Sequence, residues 1–213
     1  MTTDELISPT SSAIIKDVLA LQDAGLASVA YFYFDFRDTD KQNVHNILPS
    51  LLTQLSARSD SRCEILSRVY EASDDGAHKP NNSTLIACLK EMLALPDQGP
   101  IDIILDALDE CPNTSGIPSA RKQVLHLLKD LVCLQLFDLH ICVTSRPEID
   151  IRTALESLAF CPVSLHDESG QKRDIEDYIR FVVYADSDTA MKRWRDMDRE
   201  LVIETLRGRA DGM

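Results

Sequence analysis

Three short apolar runs, separated by long segments with helical periodicity, restrict what this chain can fold into. The runs are Ser28–Phe36, Ile101–Leu105 and Leu139–Thr144. The first is almost continuously aromatic or β-branched, which is typical of a strand buried on both faces. Because strands that alternate with amphipathic helices form mostly parallel sheets, the pattern predicts an α/β fold with a mostly parallel sheet flanked by helices.

The segments around these runs carry apolar residues at helical spacing. We predict helices at Ser11–Ala24, Asn43–Ser56, Cys63–Ser73, Ser83–Leu95, Arg121–Leu134, Ile149–Leu158, Lys172–Tyr184 and Asp196–Arg207. A fourth short strand is predicted at Cys161–Leu165. Since the pattern after Gly170 is only helical, we divide the chain into a core at residues 1–168 and the beginning of an all-helical extension at residues 169–213.

The charge of the chain argues against polyanionic partners. Its formal net charge is −13 at pH 7. Nucleic acids and anionic membrane surfaces are repelled by such a field, so we expect neither as a partner. No apolar run approaches the roughly 18–20 residues of a membrane span. Asp4 and Glu5 lie where a signal peptide would be apolar, so we predict no secretion signal.

The cysteines give no sign of a metal cluster. There are six, without a C-x-x-C pair, and no two histidines have metal-ligand spacing. Most of the cysteines lie in apolar stretches, where a free cysteine behaves as a small hydrophobic residue. We therefore expect reduced, buried thiols, which are typical of a reducing compartment, and predict a cytoplasmic location.

The strongest chemical signal is the acidic end of the second apolar run. This run delivers Asp106 to the carboxyl end of a strand, where α/β sheets place their ligands. Asp109 and Glu110 follow within one turn. Carboxylates that meet at one edge repel each other, which favours a site that takes a cation. The alternative is an ordinary strand that runs into an acidic loop, and this segment alone does not decide between the two.

A second signal follows the third apolar run. That run ends in a hydroxyl pair, Thr144 and Ser145, followed by Arg146. In a sheet beside the acidic strand these residues would face the same edge, and an arginine guanidinium can bind the oxygens of a terminal phosphate. All three are therefore candidate nucleotide-binding residues. The alternative is that Arg146 pairs with the Asp106 cluster or with Glu148 for structural reasons.

One predicted helix separates the two segments, as a right-handed strand–helix–strand crossover requires. The segments YFYFDFRD, ILDALDEC, ICVTSRPE and VSLHDESGQKRDIEDYI together resemble the NACHT-type signal-transducing P-loop NTPases. The resemblance is greatest to the fungal nephrocystin-3-like N-terminal group, and it covers essentially the whole chain from Ile14 to Met213.

This resemblance implies a switch that binds ATP or GTP together with magnesium and assembles with copies of itself or with intact relatives. Asp106 matches the magnesium-holding position of the family. Asp109 and Glu110 match the acidic pair that orients the attacking water, as catalytic residues of an intact member. Arg146 matches the sensor arginine, and Arg37 matches a recurrent position without an assigned role.

The phosphate-binding part of the family pattern is not found in these residues. A P-loop follows G-x-x-x-x-G-K-[ST], whose backbone amides and lysine hold the phosphates. Here the first glycine is Gly25, the first lysine is Lys16 within a predicted helix, and Ile7–Ala13 lies where the loop should close. The strand that precedes the loop is not found either.

We therefore expect an incomplete P-loop NTPase core, truncated or degenerate, which binds ATP or GTP poorly by itself and does not hydrolyse it. The alternative is a non-enzymatic interaction module that docks onto intact relatives through its helical face, or inhibits them by blocking their assembly. The presence of the acidic and arginine segments without the loop motivates both expectations.

Overall fold

The computed structural model describes residues 9–42, 44–73, 78–96, 98–113, 118–158, 161–163, 169–184 and 194–209. The chain divides into two compact units, Met1–Ala159 and Phe160–Met213. The first unit holds the sheet, and the described helices of the second unit are two in number.

The first unit is built on a parallel sheet, as the apolar runs predict. Within the described residues the sheet has three strands in the order β1-β2-β3, with β1 at Ser28–Tyr33, β2 at Ile101–Asp106 and β3 at Leu139–Val143. Both neighbouring pairs are parallel, so the carboxyl ends of all strands lie at one edge. The predicted α/β class with helices flanking a parallel sheet is confirmed.

Helices follow or precede each strand. Those of the first unit are α1 at Pro9–Asp23, α2 at Val44–Ser56, α3 at Asp60–Glu71, α4 at Asn82–Leu93, α5 at Ala120–Val132 and α6 at Ile149–Leu155, and those of the second unit are α7 at Ser169–Tyr184 and α8 at Asp196–Arg209. Two single turns of 3₁₀ helix, Thr39–Lys41 and Leu108–Glu110, complete the described elements.

The helix starts differ from their predicted positions because of capping side chains. The helix predicted to begin at Cys63 begins at Asp60, since the hydroxyl of Ser59 accepts a hydrogen bond from the N–H of Arg62. The helix predicted to begin at Ser83 begins at Asn82, because Asn81 caps it with a side-chain oxygen that accepts the N–H of Thr84 at 2.9 Å.

The aromatic strand is shorter than predicted. It ends at Tyr33 rather than at Phe36. The chain turns there because the carboxylate of Asp35 accepts both the backbone N–H of Arg37, at 2.9 Å, and its side-chain Nε, at 3.0 Å. A carboxylate that hydrogen-bonds the backbone two residues later is a turn-forming arrangement and competes with strand pairing.

The fourth strand predicted at Cys161–Leu165 is wrong over its described part. Cys161, Pro162 and Val163 form no strand, and all three are exposed. An apolar segment needs a neighbouring strand and a covering layer to be stable as part of a sheet, and these residues have neither among the described ones. The remaining two residues of the prediction lie outside the described residues.

Burial is concentrated on the middle strand. Five of the six residues of β2 are buried, whereas every residue of β3 is partly or fully exposed. The helix α2 packs on β1 and on α4, with Ile47, Leu48 and Leu51 at most 1% exposed. Each such aliphatic side chain contributes about 1.5–3 kcal/mol when it is buried. The end of β2 is therefore held by the best-packed part of the unit.

The outer edge of β1 is covered by one side chain of α2. The side-chain oxygen of Gln54 accepts the N–H of Tyr31 at 3.0 Å, and its amide nitrogen donates to the carbonyl of Tyr31 at 2.8 Å. Gln54 thus pairs with the strand as another strand would. This pairing satisfies backbone groups that an edge strand otherwise leaves open to solvent or to another chain.

The cysteines are all free, but the expectation that they are buried holds only for some of them. Cys88 and Cys111 are buried, Cys142 is partly buried, and Cys63, Cys133 and Cys161 are exposed. The exposed ones lie on helix faces or in a loop, where an apolar stretch of sequence also includes positions that face solvent.

The second unit contains the helix pair α7 and α8. The guanidinium of Arg180 makes two hydrogen bonds to the carboxylate of Glu200, at 2.9 and 3.1 Å, and the hydroxyl of Tyr184 donates to the same carboxylate at 3.0 Å. No helix among the described residues of either unit has the length and apolar character that crossing a membrane requires.

Candidate functional site

The residues singled out in the sequence lie at the carboxyl edge of the sheet. Asp106 is the last residue of β2, and Thr144 is the first residue after β3. The register pairs Tyr33 with Asp106 and Leu105 with Val143, which brings the ends of the three strands side by side. The parallel arrangement therefore places the acidic segment and the arginine segment at one edge, as expected from their sequence.

Asp106 and Thr144 form the centre of this edge. Asp106 is 3% exposed, and its carboxylate accepts a hydrogen bond from the hydroxyl of Thr144. The same hydroxyl oxygen accepts the N–H of Ala107 at 3.0 Å. Ala107 has φ of 56°, a left-handed conformation that is unusual for a residue with a β-carbon. The threonine side chain thus fixes both the carboxylate and the strained turn that follows it.

The negative charge of Asp106 affects the neighbouring strand. Burial, and after it the charge of Asp106, raise the pKa of the Cys142 thiol. Both effects disfavour a second negative charge at this position. Asp106 therefore presents a buried carboxylate next to the hydroxyl of Thr144 at this edge.

Asp109 holds the arginine segment. Its carboxylate accepts the backbone N–H of Arg146 at 3.0 Å and lies 3.5 Å from the guanidinium Nε of the same residue. The side chain of Asp109 is 12% exposed, whereas that of Arg146 is 81% exposed. The arginine thus pairs with the acidic cluster, which is the structural alternative for this residue, and its guanidinium stays open to solvent. Ser145 is exposed, and its hydroxyl donates to the carbonyl of Arg146 within the same loop.

Glu110, which follows β2, makes a hydrogen bond to the segment that follows β1. Its carboxylate accepts the N–H of Phe36 at 3.1 Å, in the segment that follows β1. Asp106, Asp109 and Glu110 therefore each engage a different group, and they do not converge on one point as carboxylates sharing a cation would. In the part of the chain that the structure describes, no three potential ligand side chains come together to hold a metal ion.

Asp106 and Thr144 fit the metal-binding part of a magnesium–nucleotide site, but the described residues do not fit its phosphate-binding part. A buried carboxylate beside a hydroxyl matches the preference of magnesium for oxygen ligands, of which the protein often supplies only one or two. The cradle for phosphates has no counterpart among the described residues. Helix α1 begins at Pro9, and Lys16 lies within it. The roles assigned to Asp106, Thr144, Ser145 and Arg146 toward nucleotide and metal remain predictions.

Two arginines at this edge have contacts that the sequence did not predict. Arg121, at the start of α5, is 9% exposed and donates to the carbonyls of Cys111, at 2.8 Å, and Asp109, at 2.6 Å. It also pairs with Asp150 at 3.2 Å. Arg37 pairs with Asp35 in the turn after β1. No sequence pattern predicts these contacts. Helical spacing places Arg121 on a helix but does not indicate which loop its side chain contacts.

Comparisons with known proteins place the chain in a family. Neither a curated protein nor a solved structure matches the chain significantly. The family described as nephrocystin 3, N-terminal, matches residues 8–146, a segment that includes every candidate residue of the carboxyl edge. Since this match covers more than half of the chain, the protein belongs to the nephrocystin 3 N-terminal family.

Proposed function

We propose that this chain is a module of a NACHT-type signal-transducing P-loop NTPase, in which the bound nucleotide gates association with copies of the protein. The carboxyl edge of the sheet is its nucleotide-facing side. The observation that carries the proposal is the contact between Thr144 and Asp106, which presents a buried, oriented carboxylate where parallel α/β sheets bind their ligands.

Each residue at this edge has a part in the proposal. Asp106 would hold magnesium, which would supply positive charge to neutralise the phosphates. Thr144 orients that carboxylate, and Asp109 holds the loop that carries Arg146. The guanidinium of Arg146 pairs with Asp109 through Nε, and its exposed side would bind a phosphate from the solvent. Asp109 and Glu110 would orient an attacking water only after release from their present hydrogen bonds.

We further propose that these residues alone bind MgATP or MgGTP weakly. The support is the sequence, which contains no G-x-x-x-x-G-K-[ST] motif. Without such a loop, the triphosphate lacks the backbone amides and the lysine that account for much of its affinity in this class of protein. Hydrolysis by this chain alone is correspondingly not expected.

Calorimetric titration of the chain with MgATP and MgGTP tests the weak-binding proposal. We expect no saturation at micromolar nucleotide. Asp102→Asn is a matched control for Asp106→Asn, because Asp102 lies on the same strand and pairs with His140 at 3.0 Å, away from the carboxyl edge. Micromolar, magnesium-dependent affinity that Asp106→Asn abolishes and Asp102→Asn leaves intact would contradict weak binding.

The metal-binding role of Asp106 has its own test. Paramagnetic manganese(II) substitutes for magnesium and broadens the NMR signals of nearby amides. We expect millimolar manganese to broaden the amide signals of Ala107 and Thr144 in the wild type but not in Asp106→Asn. Equal broadening in both proteins would show that the carboxylate does not hold the metal.

A second candidate function is a non-enzymatic module that docks onto intact relatives. The observation that favours it is the exposure of large apolar side chains on α7 and α8, where Tyr178, Phe181, Met197 and Leu201 are 64–84% exposed. Mixing the purified chain with a purified relative that carries a complete P-loop should then give a mixed complex in size-exclusion chromatography. A chain that elutes only as monomer or aggregate in this mixture would count against docking.

A further inference from the structure

A cavity of about 490 Å³ lies at the amino ends of β1 and β2, at the edge of the sheet opposite to Asp106. Ser28, the first residue of β1, lines it, together with the end of α1 and the start of α3. Gly25 and Gly99 lie in its wall with φ of 72° and 69°. Among the described residues, no heavy atom other than those of the adjoining residues lies within 4 Å of a β-carbon built at either glycine, so both face open space.

A buried arginine lies in the wall of this cavity without a carboxylate partner. Arg62 is 2% exposed. Its guanidinium donates to the side-chain oxygen of Gln98 from Nε, at 3.1 Å, and from Nη2, at 2.7 Å. Nη1 donates to the hydroxyl of Ser28 at 2.7 Å and to the carbonyl of Leu55 at 3.4 Å. All of these acceptors are neutral, and among the described residues no carboxylate pairs with this guanidinium.

Within the described residues, the buried charge of Arg62 is therefore not compensated by a carboxylate. Arginine is rarely buried without an anionic partner, because removing the cation from water is costly. Burial accordingly lowers the pKa of the Arg62 guanidinium. A guanidinium has five N–H groups, and the hydrogen bonds of the described residues engage four of them. An anion in the cavity would supply both the missing charge and an acceptor.

A second arginine lies at the rim of the cavity. The side chain of Arg58 is 59% exposed, and it donates to the carbonyl of Gln22 at 3.2 Å and to the carboxylate of Asp23 at 2.9 Å. Among the described residues, the charged side chains that line the cavity are Arg58, Arg62 and Asp23, and Asp23 already pairs with Arg58. A locally positive wall is unusual for a chain with a net charge of −13 and points to an anionic ligand.

We propose that this cavity binds a small oxyanion between Arg62 and Arg58, with a phosphate group as the best match to two guanidinium groups and a serine hydroxyl. Planar guanidinium groups are suited to phosphate and carboxylate oxygens. The volume exceeds that of the oxyanion and leaves room for the rest of a small phosphorylated metabolite. The site is separate from the carboxyl edge and does not depend on the function proposed there.

Calorimetric titration of the purified chain with inorganic phosphate tests this proposal, with acetate at the same ionic strength as a carboxylate probe. We expect saturable one-to-one binding of phosphate that Arg58→Gln weakens about tenfold, the effect of losing one charge-assisted hydrogen bond. Arg68→Gln is the matched control, because Arg68 is also 59% exposed and also paired with a carboxylate, but does not line the cavity. Tighter binding of acetate than of phosphate would overturn the assignment to a phosphate group.

Two further measurements locate the bound phosphate. Arg62→Gln should abolish binding, with circular dichroism to show that the variant is folded. In the wild type, the amide signals of Gly25 and Gly99 should shift on titration with phosphate, which tests the site even if that variant does not fold. Absence of these shifts, or binding that is lost in Arg146→Gln and kept in Arg58→Gln, would move the anion to the other edge and overturn the proposal.

Asp97 precedes Gln98, the partner of Arg62, and lies outside the described residues. A separate variant therefore tests whether its carboxylate compensates the charge of Arg62. Asp97→Asn should leave phosphate binding unchanged or tighten it modestly. Binding that appears only in this variant would overturn the proposal, because the compensating charge would then come from the chain itself.

Discussion

The hydroxyl of Thr144, directly after β3, donates a hydrogen bond to the carboxylate of Asp106 at the end of β2. Its oxygen also accepts the N–H of Ala107, and the backbone N–H of Thr144 donates to the carbonyl of Leu105 at 3.0 Å. One residue thus joins two strand ends and orients the carboxylate between them. A polar group held in this way is preorganised for a ligand, since little side-chain freedom remains to be lost on binding.

The consequence of this contact for stability is testable with Thr144→Val, which keeps the shape of the side chain and removes the hydroxyl. The backbone bond from Thr144 to the carbonyl of Leu105 is retained. The variant leaves a buried carboxylate and the N–H of Ala107 each short of one partner, so we expect the free energy of unfolding to fall by about 1–3 kcal/mol. Urea denaturation measures this change.

The control for that measurement is Thr53→Val. Thr53 is exposed on α2, and its hydroxyl makes no hydrogen bond within the described part of the chain. We expect its free energy of unfolding to change by no more than about 0.5 kcal/mol. If Thr144→Val were as stable as this control, the hydroxyl would not be what holds the carboxylate.

The pairing of Gln54 with the outer edge of β1 gives a second prediction. Gln54→Leu keeps an apolar stem of similar length but leaves the N–H and the carbonyl of Tyr31 without their partner. We expect a loss of about 2 kcal/mol in the free energy of unfolding and faster hydrogen exchange at the amide of Tyr31. Gln123→Leu, which removes an exposed side-chain bond to the carbonyl of Pro118, should change neither quantity appreciably. Unchanged exchange at Tyr31 in Gln54→Leu would contradict the pairing.

The positions of the three strands could be predicted from the sequence because each strand coincides with a short apolar run between segments of helical periodicity. The carboxyl edge followed from them, since parallel strands place their carboxyl ends together. The partners of Gln54, Arg62 and Arg121 could not be predicted, because each contact joins residues that only the folded chain brings close. The strand predicted from the apolar pattern at Cys161–Leu165 is wrong over its described part for a related reason. An apolar run forms a strand only where a neighbouring strand pairs with it, and the sequence does not show that neighbour.

The turn after β1 predicts a dependence of stability on pH. Hydrogen bonds from the side chain and then the backbone of Arg37 hold the pKa of Asp35 below its usual value of 3.8. A carboxyl group whose pKa is lowered by folding stabilises the folded state above its unfolded pKa, and this contribution is lost as the pH falls through the lowered value. The pair should therefore stabilise the protein at neutral pH and progressively less below about pH 4.

A double-mutant cycle of Asp35→Asn and Arg37→Gln measures this contribution. We expect a favourable coupling free energy at pH 7 that decreases toward zero as the pH falls below about 4. The coupling should also weaken with salt, because the side chain of Arg37 is 61% exposed and solvent screens its charge. A coupling that is the same at pH 7 and at low pH would show that the ionised carboxylate of Asp35 is not its source.

The pairing of Asp109 with Arg146 predicts unequal effects of removing its two members. Asp109→Ala removes the acceptor of a backbone N–H in the partly buried turn after β2, so we expect the free energy of unfolding to fall by about 1–3 kcal/mol. Arg146→Ala removes a side chain that is 81% exposed and keeps the backbone bond, so we expect a loss of at most about 0.5 kcal/mol. Urea denaturation of both variants measures the difference.

Because Arg146→Ala preserves the fold, any change that it causes in nucleotide binding reports on the guanidinium itself, whereas a change in Asp109→Ala also includes displacement of the loop. Equal destabilisation by the two substitutions would mean that the ion pair, rather than the backbone bond, holds this loop.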